Sequence, residues 1–94
     1  MSKAKGSRIE RKCRRLLEAS GHTCMKAGGS LGTFDLFAWM PDGPLRAIQV
    51  KGGAHPWCAP HEREQIASEA LPAQATRELW LWKDYARNPE VIFL

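Results

Sequence analysis

Ninety-four residues make one domain, with a core large enough to fold alone but of modest stability. With 44% hydrophobic and 26% charged residues the composition is that of an ordinary water-soluble globule, and no apolar run approaches the roughly 18 residues of a membrane span. The net charge of +4 leans toward polyanionic partners.

That charge is concentrated at the start. Seven of the fourteen basic residues, Lys3, Lys5, Arg8, Arg11, Lys12, Arg14 and Arg15, fall in the first fifteen positions. Such a cluster serves either as a phosphate-binding face or as a solvated helix surface. Lys5, Arg8, Arg11, Lys12 and Arg15 are the candidate nucleic-acid contacts. The basic start leads into an amphipathic segment and not into a signal-peptide core, so an intracellular location, cytoplasmic or nucleoid-associated, is expected. Cys13, Cys24 and Cys58 form an odd, scattered set that fits a reducing compartment better than a disulfide framework.

Residues 1–6 are polar without apolar periodicity, and a mobile basic arm is expected there. Ser7 with Glu10 three positions later has the pattern of a capping box. Ile9, Cys13, Leu16 and Leu17 follow i, i+4, i+7, i+8 spacing, which predicts a helix over 8–20 with that side buried and Gly21 as its C′ stop. A short first strand is expected within 22–27, then a glycine-rich loop over 28–32. Residues 33–40 read as a second strand, Pro41-Asp42-Gly43-Pro44 as a turn and 45–51 as the returning strand. With a loop of five residues, Met40 to Pro44, Asp35 faces Gln49, and the other face pairs Phe34 with Val50 and Leu36 with Ile48. A loop one residue shorter would set Asp35 against Val50; the first register gives the consistent apolar layer.

A loop follows over 52–59. Pro60 opens a second helix carrying Ile66, Ala67, Ala70 and Leu71 on one side and ended by Pro72. A fourth strand over 78–83 alternates Trp80 and Trp82 with Leu79 and Leu81, so one side is core and the other lies against a helix or a second subunit. A short last strand follows over 91–94. The order α-β-β-β-α-β-β, without repeats, predicts a single α/β domain.

Chemistry concentrates in the hairpin. Asp35 lies within an apolar strand, where a carboxylate without a partner is costly. Fourteen residues later Gln49-Val50-Lys51 adds a second oxygen ligand and an ammonium. On one face, these groups suit phosphodiester hydrolysis with a magnesium-class ion.

A helix glutamate, Gly32-Thr33-Phe34-Asp35 on one strand, Gln49-Val50-Lys51 on the next, and a helix containing Gln65 together resemble the PD-(D/E)xK nuclease superfamily. Within it, the segment 28–51 is most similar to archaeal-type Holliday-junction resolvases and VRR-NUC nucleases. The resemblance runs from Ser7 to about Trp82 but rests on a handful of residues. It implies a restriction-endonuclease-like core, α-β-β-β-α-β, with a mixed sheet flanked by two helices. It also implies Mg²⁺ or Mn²⁺ held by Asp35, Glu10, Gln49 and the Val50 carbonyl. Lys51 would orient the attacking water or stabilise transition-state charge, Gln65 would stand near the site, and Ser30 would approach the scissile phosphate. The implied substrate is branched or four-way-junction DNA, cut to leave a 5′-phosphate by a homodimer. So short a nuclease would suit a phage or mobile element.

Two positions depart from the family pattern. Phe34 replaces a proline at little consequence. Gln49 replaces an acid, and its carboxamide ligates a hard cation without contributing charge. Gln49 therefore keeps open a second reading, a nucleic-acid-binding protein that retains the fold without catalysis. A third reading, an adaptor organised by zinc, rests on His55, Cys58 and His61, which lack the paired spacing of structural zinc sites.

Overall fold

In the computed structural model, residues 2–27 and 32–94 are described, the side chains of 2–7 excepted. Helix α1 spans Ser2–Ala19, followed by strands β1 (Thr23–Lys26), β2 (Leu36–Trp39) and β3 (Arg46–Gly53), helix α2 (Pro60–Ser68), and strands β4 (Thr76–Lys83) and β5 (Glu90–Phe93). The strands form one mixed sheet in the order β1-β2-β3-β4-β5, with β3 and β4 parallel and the other neighbours antiparallel. Helix α2 lies in the crossover between the two parallel strands, the connection that such a pair requires.

The start of α1 corrects the expected capping box. The helix already runs through Ser7, so that residue is neither an N-cap nor the end of a mobile arm. Lysine and alanine near the start are good helix formers, and a helix anchored by its apolar stripe extends at little cost. Glu10 is thereby released from a capping role. The other end is as expected. Gly21 has φ +92°, the Gly21 N–H donates to the Glu18 carbonyl and the His22 N–H to the Leu17 carbonyl, each at 3.0 Å. These are the two bonds of a Schellman stop.

Alternation along the strands divides the core between two helices. Ile9, Cys13 and Leu17 of α1 pack on Leu36, Ala38, Ile48, Trp80 and Trp82, with Leu16 at the margin. On the opposite face, Ile66 of α2 and Cys58 pack on Phe34, Phe37, Ala47 and Leu79. Both sides of β4 are thus covered within the chain, tryptophans under α1 and leucines toward α2. Helix α2 is shorter than expected: it ends at Ser68, and Ala67 and Ala70 are exposed. Its end is set by Arg77 of β4, whose Nη1 donates to the carbonyls of Ile66 (2.9 Å) and Glu69 (2.5 Å). A distant guanidinium takes the carbonyls that one more helical turn would have used.

At the N-terminal end of the parallel pair lies a buried ion pair. Arg46 on β3 donates from Nη2 to Glu78 Oε1 (2.7 Å) and from Nε to Oε2 (2.8 Å). Thr76 Oγ1 and Trp80 Nε1 also donate to the Glu78 carboxylate, at 2.6 and 2.9 Å, while Arg46 Nη1 stands 3.2 Å from His22 Nε2. Glu78 is fully buried, and its carboxylate has four donors. Burial pushes its pKa up, but the bonds from Arg46, Thr76 and Trp80 outweigh this and hold it below the ordinary 4.5.

Candidate active site

The β2–β3 register matches the five-residue loop: Leu36 faces Ile48, Phe37 faces Ala47 and Ala38 faces Arg46. Regular pairing stops at Leu36, where the bonding slips by one residue. The Asp35 N–H donates to the Ile48 carbonyl at 2.8 Å. The Val50 N–H donates to the Asp35 carboxylate, Oδ2, at 2.7 Å. On the other side the Asp35 carbonyl continues the β1 pairing by accepting from Ala27 N–H at 2.9 Å. Such a bulge-like slip breaks the two-residue alternation and re-aims a side chain. It also corrects one expectation: Phe34 packs not beside Leu36 but on the opposite face, with its ring centroid 6.0 Å from that of Phe37.

The slip opens a cleft of about 280 Å³ lined by Ile9, Glu10, Asp35, Gln49, Val50, Lys51 and Gly52. Helix α1 closes over it because Gly52 has no side chain; a Cβ there would stand 1.9 Å from Ile9 Cδ1. Strand β3 continues through Gly52 and Gly53, where a loop is expected, because both pair with β4, opposite Trp82 and Lys83. Burial raises the Asp35 pKa; the Val50 N–H opposes it, the Glu10 charge adds to it, and Lys51 and Lys26 oppose it, with a net rise from the ordinary 3.8. Lys26 Nζ lies 3.6 Å from Glu10 Oε1 at the cleft margin. Beneath, the buried Cys13 thiol is pushed up to about 12 by burial and by the Asp35 and Glu10 charges, so it stays protonated and unreactive.

Two carboxylates, an amide and a backbone carbonyl are hard oxygen donors of the kind Mg²⁺ and Mn²⁺ take. The Val50 bond engages Oδ2 of Asp35, and the Glu10 charge acting on Asp35 would be relieved by a bound cation. The residues fit the metal, though with one negative charge fewer than an acid at Gln49 would give.

The other expected residues are distributed unevenly. Gln65 is exposed on α2 and does not line the cleft. The α2 residue that reaches the site is Glu62, whose Oε2 accepts from Lys51 Nζ at 2.6 Å, a bond that lowers the Glu62 pKa. Glu62 sits in the first turn of a helix opened by Pro60, where acids are common; nothing in the spacing ties it to Lys51. Ser30 and the side chain of Lys5 lie outside the described residues. Arg8, Arg11 and Arg15 are exposed on α1, while Lys12 is half-buried with Nζ 5.4 Å from the Trp82 ring centroid. Spacing gives no sign of the Arg46–Glu78 pair either, although alternation puts Glu78 on the face of Trp80 and Trp82, where a carboxylate demands partners.

The zinc reading does not survive. Cys58 is buried in the α2-side core with its thiol pKa raised by burial, while His55 and His61 are exposed. Among the described residues no group of three or more His, Cys, Asp or Glu could hold a metal. Among the described residues, too, no helix is long and apolar enough to cross a membrane.

Among solved structures, this chain is similar to Hjc, a Holliday junction resolvase from the archaeal hyperthermophile Archaeoglobus fulgidus. The TM-score is 0.74 at 25% sequence identity, over 96% of this chain and 71% of that one. No family model matches the sequence, and no curated protein matches it. The chain thus has the restriction-endonuclease-like fold implied by the residues around Asp35 and Lys51, the fold of a PD-(D/E)xK nuclease.

Proposed function

We propose that this protein is a metal-dependent deoxyribonuclease that hydrolyses phosphodiester bonds in branched DNA, four-way junctions foremost, in DNA recombination or repair. The observation that carries this reading is the meeting of Glu10, Asp35, Gln49, Val50 and Lys51 around one cleft, in a fold similar to that of a junction resolvase.

Glu10, Asp35, Gln49 and the Val50 carbonyl would hold Mg²⁺ or Mn²⁺. The bound ion supplies Lewis acidity toward the phosphoryl oxygens and a more acidic water. The chain supplies the positioning. The Val50 N–H holds one oxygen of the Asp35 carboxylate within the protein, and Asp35 lines the cleft. Lys51, tethered by Glu62, brings an ammonium to the cleft, where it orients the attacking water or stabilises charge developing on the phosphate. Arg8, Arg11, Lys12 and Arg15 contact backbone phosphates, which set orientation without reading sequence. A homodimer would bring two such clefts to the symmetry-related strands of a junction.

A second reading is favoured by Gln49 alone: a DNA-binding protein of this fold whose reduced ligand charge no longer supports catalysis. Labelled four-way junction, flap and duplex DNA incubated with Mg²⁺ or Mn²⁺ separate the two. The nuclease reading expects metal-dependent cutting, greatest on the junction, lost in Asp35→Ala and strongly reduced in Lys51→Ala. DNA bound equally with and without metal, and no product from any substrate, would select the binder.

A further inference from the structure

We propose that a second, shallower groove beside the cleft binds a nucleotide of the same DNA strand, close to the one that enters the cleft. The proposal rests on DNA being the ligand of this protein. The groove lies between α1 and the turn that follows β4, has a volume of about 450 Å³ and is lined by Lys12, Arg15, Leu16, Ala19, Trp82, Ala86 and Arg87. The four helix residues follow i, i+3, i+4, i+7 spacing and so form one edge of α1.

Its position ties it to the cleft. Trp82 is the register partner of Gly52 on the neighbouring parallel strand, and Gly52 lines the cleft. Groove and cleft therefore lie at the same end of the sheet, with their linings meeting on adjacent strands. Helix α1 divides them, with Glu10 in the cleft and Lys12 in the groove. A strand whose scissile phosphate enters the cleft has a neighbouring nucleotide within reach of the groove, across a helix about 10 Å wide.

The lining chemistry selects the occupant. Lys12, Arg15 and Arg87 contribute three cations, and no carboxylate lines the groove. Leu16, Ala19, Ala86 and Trp82 make an apolar floor. A helix from a protein partner would cover the floor but strip water from three cations that have no ion-pair partner among the described residues. A free inorganic anion would meet the cations and leave the floor unused. A nucleotide uses both, its phosphate on the cationic rim and its sugar and base on the floor. The site is also preformed: Trp82 Nε1 donates to the Ala86 carbonyl at 2.9 Å, fixing the turn against the strand, and Lys12 lies over the indole. Arg87 is the contributor that the charge cluster at the start of the sequence gives no hint of.

The test is affinity for a labelled four-way junction and a labelled single strand, measured in EDTA across a salt series so that no cutting is needed. Arg87→Ala and Arg15→Ala should each weaken binding several-fold and lower the slope of log affinity against log salt by about 1. Ala19→Glu, which sets a carboxylate in the groove, should weaken it further. Arg14→Ala removes the same charge from another side of α1, where Arg14 lies 3.9 Å from Glu18, and should leave both quantities unchanged. Thermal melts should show all four variants as stable as the parent, since the altered side chains are exposed. Equal effects of Arg14→Ala and Arg87→Ala, or no effect of Arg87→Ala, would overturn the groove while leaving a parent that cuts DNA as a nuclease. The expected ranking in a parent that binds but never cuts would uphold the groove and overturn the nuclease. A parent that binds no DNA overturns both.

Discussion

The two ends of the parallel β3–β4 pair treat a carboxylate in opposite ways. At the N-terminal end Glu78 is fully buried, accepts four hydrogen bonds and carries a lowered pKa. At the other end of β3, Asp35 accepts one backbone bond, at Val50, lies near a second carboxylate and carries a raised pKa. A carboxylate whose acceptors are all engaged by protein donors has nothing left for a ligand, so the Glu78 end holds the sheet together. A desolvated carboxylate with one oxygen unbonded among the described residues and a like charge beside it is costly to the fold and useful only when a cation arrives. The contrast separates a structural ion pair from a candidate metal centre without appeal to either sequence motif.

The sharpest way to break this comparison is Asp35→Ala. Cleavage should fall by about three orders of magnitude or more, with the thermal midpoint unchanged or higher. A variant that still cuts would move the centre elsewhere. Glu78→Ala should do the reverse. Removing one partner of a buried pair leaves Arg46 uncompensated and costs about 3–5 kcal/mol, a fall of roughly 12 °C or more for a domain of this size. Cleavage at low temperature, where the fold persists, should remain. A melt within a few degrees of the parent would show that Arg46 finds other partners.

Gly52→Ala tests the seam between the two regions. The new Cβ forces Ile9 from its position and should cost about 1–3 kcal/mol. Shortening the opposing side chain in Gly52→Ala/Ile9→Val should recover part of that loss in a double-mutant melt; no recovery would place the clash elsewhere. The smallest effect lies in the pH dependence. Because the folded pKa of Asp35 is raised, its charge destabilises the fold increasingly as pH rises from about 3.8 through the folded value. Asp35→Asn should therefore be more stable than the parent at neutral pH, with the difference vanishing below that range. Glu78 has the opposite sign: its lowered pKa contributes stability that is present above 4.5 and is lost as pH falls through its folded value. Unfolding by denaturant from pH 3 to pH 7 distinguishes the two signs.

The order of elements, the apolar stripe of α1, the Gly21 stop and the hairpin register all rest on local rules, three-to-four periodicity, left-handed glycine and loop length, and they could be read from residues a few positions apart. So could Asp35, Gln49 and Lys51, because one hairpin brings them together. The remainder depends on contacts between residues far apart in the chain. Arg77 ends α2 from a neighbouring strand, Glu62 instead of Gln65 reaches Lys51, and Glu78 finds Arg46 thirty-two positions away. The slip at Asp35 that turns a paired strand residue into a cleft carboxylate depends on a side chain displacing a backbone acceptor. Hydrophobic periodicity is blind to such an exchange, since the pattern of apolar residues is the same with and without it. Which groups the chain owns, and which face of each element is apolar, follow from the residues alone. Only the packed sheet decided which polar groups are satisfied and which are left open for a ligand.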